Sequence, residues 1–163
     1  MTKTINNSAF TLIELLVVIS IIGILAGMVV ASFTSSQKQA RDTARKSDMA
    51  QYRTALESFA NAHNGLYPYM GGSVPHMDSV CDTALVPSGY AAACPQDSKS
   101  PNRYYGYYTS DGSGSLGSPT STKYLIFVWG GLESVIGNTW VVCSSGKTGL
   151  TTNSWSSVAA FCP

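Results

Sequence analysis

Apolar and polar positions divide this chain into an apolar end and a polar end. From Leu15 to Ala31 there is no charged residue, and Ser20 is the sole side-chain hydroxyl. The wider stretch from Phe10 to Phe33 is 24 residues with one ionisable group, Glu14. As a helix rising about 1.5 Å per residue, it is long enough to cross a hydrocarbon layer of about 30 Å. Beyond Phe33 the chain turns polar but keeps a helical period: Met49, Tyr52, Leu56, Phe59 and His63 recur at steps of three and four. That stripe faces a partner, and Gly65 followed by Pro68 ends it. Lys38, Arg41, Asp42, Arg45, Lys46, Asp48, Arg53 and Glu57 are expected on the opposite faces as a solvated run.

From Gly65 onward turn-formers are dense, and the segment from Tyr67 to Pro101 reads as a connecting loop. Three later runs, Arg103 to Thr109, Lys123 to Gly130 and Thr139 to Ser144, are rich in Tyr, Ile, Val, Phe and Trp. Asp-Gly, Gly-Ser, Gly-Gly and Gly-Asn signals separate them, as strands require. The unbroken apolar run Tyr124 to Trp129 predicts a central strand covered on both faces. Gly146 to Pro163 reads as a terminal loop. The expected fold class is α+β: a long amino-terminal helix whose second half packs on a small antiparallel sheet while its first half spans a membrane.

Charge changes this picture little. Ten basic and nine acidic residues nearly cancel, so there is no bulk field to gather nucleic acid or an acidic substrate. Cysteine usage changes it more. Cys81, Cys94, Cys143 and Cys162 all lie in the polar half, and none forms a Cys-x-x-Cys pair of the zinc or redox kind. An oxidising compartment and two disulfides follow, with four buried thiols as the alternative. Four cysteines allow three connectivities, and the local pairs Cys81–Cys94 and Cys143–Cys162 suit a loop-rich head.

The apolar stretch differs from an ordinary secretory signal, because its small residues, Ser8 and Ala9, precede it rather than follow it. Glu14 is the other oddity. An unpaired carboxylate at the bilayer centre costs at least ~2.5 kcal/mol, so Glu14 either reaches the headgroups by snorkelling or meets a cation that its own segment lacks. With S-A-F-T-L-I-E-L-L-V-V-I-S-I-I-G-I-L-A in view, the chain resembles the prepilins of type IV pili and the pseudopilins of type II secretion. The helical stretch from Ala40 to Pro68 resembles their stem and its exit. The resemblance implies a cytoplasmic leader over residues 1–9, cut between Ala9 and Phe10 by a prepilin peptidase that also methylates the new amine of Phe10. It implies a transmembrane and filament-core helix over 10–33, an amphipathic stem over 34–64 and a disulfide-braced head over 65–163. Glu14 matches the family's glutamate, whose cation is the amino terminus of a neighbouring subunit. Ala9 stands where the family usually has Gly, and Ala31 where many members have Pro. Lys3 alone precedes the span and Lys38, Arg41, Arg45 and Lys46 follow it, opposite to the positive-inside expectation; the family's orientation, leader inside and head outside, is the one expected.

The partners this implies are further copies of the chain in a helical filament, the peptidase, an inner-membrane assembly machinery and, before assembly, the lipid bilayer. No cofactor is implied. His63 and His76 have no second ligand at helical spacing, and no P-loop, dinucleotide fingerprint or nucleophile elbow appears, so neither a metal site nor enzyme activity is expected. The loop Ser110 to Ser115 has one carboxylate, too few for calcium, and reads as a hairpin loop. Nine tyrosines could stack single-stranded nucleic acid. From Asn64 onward, however, four basic and five acidic residues leave a net charge of −1, which removes the main attraction for phosphates. The readings carried forward are a pilus subunit, a secretion pseudopilin, a minor pilin recognising DNA or a surface through its head, and a one-span anchored domain that never polymerises.

Overall fold

The computed structural model describes residues 10–70 and 76–162, and for 29–32 the helical backbone alone. The chain divides into two compact units, Met1–Gln37 and Lys38–Pro163. Helix α1, Leu12–Ala62, runs through the boundary.

In the first unit the described side chains of α1 are all exposed. The helix is regular because branched and straight apolar residues fill it without a proline. Ser20 turns its hydroxyl back to the Leu16 carbonyl at 2.8 Å rather than outward.

The second unit is built on the rest of α1. Strand β1 (Tyr67–Pro68) follows, then a short helix α2 (Met77–Val80) continuing as a π-helical turn over Cys81–Leu85. Strands β2 (Tyr104–Tyr108), β3 (Pro119–Ser121), β4 (Leu125–Trp129), β5 (Asn138–Cys143) and β6 (Thr148–Thr152) come next, and helix α3 (Trp155–Phe161) closes the unit. The antiparallel sheet has four strands in the order β2-β4-β5-β6, and β1 pairs separately with β3.

Strand β4 lies between β2 and β5 and is covered on both faces, as its unbroken apolar run predicts. Ile126 and Val128 point into a core with Met49, Tyr52, Leu56 and Phe59 of α1. Leu125 and Phe127 point the other way, with Val141, Cys143 and Val158 of α3. Each such side chain contributes roughly 1.5–3 kcal/mol by leaving water. Opposite Phe127 in the β2–β4 ladder stands Gly106, whose missing side chain lets the phenyl ring lie over the strand; a Cβ there would overlap it.

Three expectations need correction. The terminal segment is not a loop: Thr148–Thr152 forms an edge strand and Trp155–Phe161 a helix capped by Ser154, whose hydroxyl accepts from the Ser157 N–H. The strand was hidden because Thr-Gly-Leu-Thr-Thr is largely polar and only one side of it is half-buried. The connecting segment contains α2 and the π-helical turn, where Met77, Val80, Cys81 and Leu85 join the core. Finally, the charges of the stem are not all solvated, since Asp42 and Arg45 are 3% and 2% exposed.

The disulfides join Cys81 to Cys94 and Cys143 to Cys162, with Cα atoms 5.8 and 5.6 Å apart. The first ties the π-helical turn to the segment ahead of β2. The second ties the end of β5 to the residue after α3. Asp111 gives the loop after β2 its shape: its carboxylate accepts from the Thr122 and Lys123 backbone N–H groups and the Thr122 hydroxyl.

Candidate assembly element and its anchoring charges

Phe10 and Glu14 stand at the start of α1, and Ala9 lies outside the described residues. Thr11 precedes the first helical residue, and Glu14 sits three positions on. The Thr11 N–H donates to Glu14 Oε2 at 2.8 Å and the Thr11 hydroxyl donates to the same oxygen at 2.7 Å; the Glu14 N–H donates back to Thr11 Oγ1 at 3.3 Å. This is a capping box, in which side chains at the two ends of a four-residue window satisfy each other's free backbone N–H groups. The carboxylate also lies at the positive end of the helix dipole. Glu14 therefore has partners within its own chain. The signal is legible in the sequence as Thr-x-x-Glu ahead of an apolar run. Among the described residues only Oε2 is engaged, which leaves Oε1 for a further donor.

Beyond this first turn, from Leu15 to Met28, Ser20 is the one polar side chain on the helix. Phe10 is 88% exposed, and Ile13, Leu16, Ile19, Ile22 and Leu25 all lie open. Eighteen consecutive residues of α1 meet the length and composition needed to cross a membrane, and none of that window is buried. A helix with no polar face and no covering partner is stable only in lipid or against other apolar helices.

In the second unit, α1 is fastened by a buried charge cluster. Arg45 donates from Nε to Asp97 Oδ2 at 2.5 Å and from Nη2 to Asp97 Oδ1 at 3.1 Å. Its Nη1 reaches Asp42 Oδ1 at 2.6 Å, and Nη2 also reaches Glu133 Oε1 at 2.7 Å. Arg41 forks onto Glu133 at 3.0 and 2.6 Å. The backbone N–H groups of Glu133 and Ser134 and the Ser134 hydroxyl complete Asp42. The fork of each guanidinium matches a carboxylate on two atoms, the strongest geometry for such a pair.

These contacts set the protonation states. Arg41 first, and Arg45 with it, hold the Glu133 carboxyl down at about 2 against a smaller opposing effect of burial. For Asp42 and Asp97, burial is the largest single effect and works upward, but the hydrogen bonds together, from Ser134, Glu133 and Arg45 to Asp42 and from Arg45 and Lys99 to Asp97, outweigh it, and both stay below the usual carboxylate range. Two more stem carboxylates accept tyrosine hydroxyls: Asp48 from Tyr105 at 2.6 Å, and Glu57 from Tyr67 at 2.9 Å and Tyr124 at 3.0 Å. Burial, then Glu57, pushes the Tyr67 phenol up to about 12. These three tyrosines thus fasten the stem to the head. Sequence contained the clue: Asp42 and Arg45 continue the stripe of Met49, Tyr52, Leu56, Phe59 and His63 upstream at the same alternating steps. His63 is half-buried and stacks on Phe59 with centroids 4.0 Å apart.

Comparison with known proteins bears on the apolar end. The prokaryotic N-terminal methylation motif matches residues 5–30. The chain is 43% identical over 63 residues to the type II secretion system core protein G of Pseudomonas aeruginosa, covering 39% of this chain and 44% of that protein. It is 40% identical over 54 residues to the type IV major pilin protein PilA of Myxococcus xanthus, covering 33% and 24%. By this amino-terminal segment the chain groups with type IV pilins and type II secretion pseudopilins. A third relative, the prepilin peptidase-dependent protein D of Escherichia coli, is 42% identical over 68 residues, covering 42% of this chain and 47% of that protein. The chain spans less than half the length of each of these curated relatives. Among the described residues no three His, Cys, Asp or Glu side chains are placed to hold a metal ion.

Proposed function

We propose that this pilin-group chain is the precursor of a structural subunit of a pilus-like extracellular filament. The observation that carries the proposal is an uncovered apolar helix, headed by the Thr11–Glu14 capping box, coinciding with the N-terminal methylation motif. In this reading residues 1–9 are a cytoplasmic leader, 10–33 the membrane and filament-core helix, 34–64 the stem and 65–163 the head. A prepilin peptidase cuts between Ala9 and Phe10 and methylates the Phe10 amine. The subunit waits in the inner membrane, then leaves it as assembly machinery exchanges lipid contacts for contacts with further copies. Glu14 Oε1 meets the Phe10 amine of a neighbour, and a subunit out of register leaves that charge unmatched. The disulfides Cys81–Cys94 and Cys143–Cys162 suit a head that works outside the cytoplasm.

Electron microscopy of sheared surface material, with mass spectrometry of its amino terminus, tests this directly: filaments of a chain beginning with methylated Phe10 are expected. Recovery of mature protein with Met1 attached, or only as isolated molecules in the membrane, refutes it. Glu14→Ala as the sole subunit is expected to abolish filaments, and Glu14→Gln, which retains an oxygen for the Thr11 cap but loses the charge, is expected to do so too. If the Gln variant assembles normally, the glutamate acts as a helix cap alone.

The similarity to a type II secretion core protein favours a second reading, a short pseudopilin acting in protein export. Filament length separates the two, since a pseudopilin gives no long shed fibres from cells at native expression.

A further inference from the structure

Away from α1, the outer face of the sheet carries a chain of aromatic rings. His76 stacks on Tyr104 at 3.8 Å, and Tyr104 on Trp129 at 5.7 Å. Phe127 meets Trp129 at 6.2 Å and Trp155 at 5.9 Å, and Tyr108 meets Trp155 edge-on at 4.9 Å. Between the two tryptophans lies a cleft of about 180 Å³ lined by Phe127, Trp129, Gly130, Asn153, Ser154, Trp155 and Val158. Phe127 is its buried floor, while Trp129 and Trp155 remain 45% and 42% exposed. Of the three tryptophans in the chain, the third, Trp140, is half-buried and covered by the Lys46 ammonium. Tryptophan is ordinarily well buried, so two open indoles bordering one cleft mark a contact site rather than leftover surface.

The chemistry of the lining narrows the ligand. Among the described residues no charged side chain lines the cleft. The Arg103 side chain passes beside Gly130, but its guanidinium donates to the Gly131 carbonyl. Asn153 is exposed, and its side-chain amide makes no hydrogen bond among the described residues. Its Nδ2 stands over Gly131, 3.4 Å from where a Cβ would be. Flat apolar walls with a neutral amide and a hydroxyl at the rim complement a sugar ring, which has an apolar C–H face and a perimeter of hydroxyls. Most small-molecule pockets occupy roughly 300–1,000 Å³, so a cleft of this size suits one ring of a longer glycan. Tyr104, Phe127 and Tyr108 hold the indoles in place, so little side-chain freedom remains to be lost on binding. Single-stranded nucleic acid would use the same faces, but it also needs cations for its phosphates, and the cleft has none.

We propose that the Trp129–Trp155 cleft binds a neutral saccharide, with a pyranose ring seated against the indoles and its hydroxyls on Asn153 and Ser154. This is a property of the head and stands apart from whether the chain polymerises. The experiment titrates the full chain, in a zwitterionic detergent free of sugar, separately with chitotetraose, cellotetraose, maltotetraose and an oligothymidylate, following the indole N–H signals by NMR. At least one saccharide is expected to shift the Trp129 and Trp155 signals saturably in the millimolar range or below and to leave Trp140 unmoved. Trp129→Ala and Trp155→Ala are expected to weaken binding about tenfold or more, a difference of about 1.4 kcal/mol. Asn153→Ala is expected to weaken it less, and Ile136→Ser, on an exposed loop outside the cleft, not at all. Should an alanine variant fail to fold, the wild-type shift pattern decides by itself. No saturable shift with any of the saccharides overturns the proposal, as does movement of Trp140 alone, binding only of the oligothymidylate, or shifts that follow protein concentration and so report self-association.

Discussion

In the described part of the first unit the apolar side chains are open and the one charged side chain, Glu14, sits in the first turn of α1; in the second unit apolar side chains are closed in and charges are closed in with them. Leu12 to Met28 of α1 has no buried residue, whereas further along the same helix Arg45 is almost completely enclosed. An open apolar helix specifies a solvent, lipid or its own kind, without specifying a particular neighbour. A buried guanidinium matched by three carboxylates on α1, the segment before β2 and the β4–β5 loop specifies one arrangement of those segments. Hydrophobic burial accepts many registers of similar energy, but a buried charge left without its partner is strongly disfavoured. One helix thus carries an adaptable surface and a fixed one.

The sharpest way to break this contrast is Arg45→Met. It leaves Asp42, Asp97 and Glu133 facing one another without the central cation, and a loss of about 3–5 kcal/mol is expected from chemical denaturation of the full chain. If stability falls by less than a quarter of that, the cluster is not the anchor. The converse change, Ile22→Lys, places a charge on the open surface of the first unit. Membrane insertion should weaken by about 2.5–3.5 kcal/mol, read by a glycosylation or protease-protection assay, while unfolding of the head stays unchanged. Equal destabilisation of the head would mean that the two units are energetically coupled.

A smaller effect sharpens the closed side. Gly106→Val drives a side chain into the Phe127 ring, and overpacking of this kind costs about 1–3 kcal/mol. Gly106→Val together with Phe127→Ala should recover part of that loss, which separates the clash from a change in strand propensity. The smallest effect concerns pH. Glu133 has its carboxyl lowered from 4.5 to about 2 in the folded chain, so its contribution is complete above the unfolded value and disappears as pH falls toward 2. The melting temperature of wild type should drop across that window, and Glu133→Gln should flatten the drop while lowering stability near neutrality. A wild-type profile unchanged by the substitution would show that other carboxylates dominate.

How much of this was readable beforehand depended on the range of the interaction. The long helix, the stripe from Met49 to Phe59 and the double-sided strand β4 follow from periodicities of three to four or from an unbroken apolar run, and those periods are local. The capping box at Thr11 and Glu14 was equally local and equally visible. Strand β6 was not, because an edge strand with one half-buried side needs few apolar residues, and its ladder to β5 supplies the structure that its composition does not. The solvated reading of Asp42 and Arg45 failed for a related reason: their partners, Asp97 and Glu133, lie 52 and 88 positions from Arg45.

By itself the sequence determined that an apolar helix leads the chain, that it opens with a threonine and a glutamate three apart, and that a cysteine-bearing α+β head follows, since each depends on neighbours within a few turns. Tertiary structure alone decided which charges are buried, which cysteines meet and that Trp129 and Trp155 border one cleft. Those outcomes depend on bringing distant segments together, and chain-local chemistry leaves several such closures with nearly the same free energy until the whole core is packed.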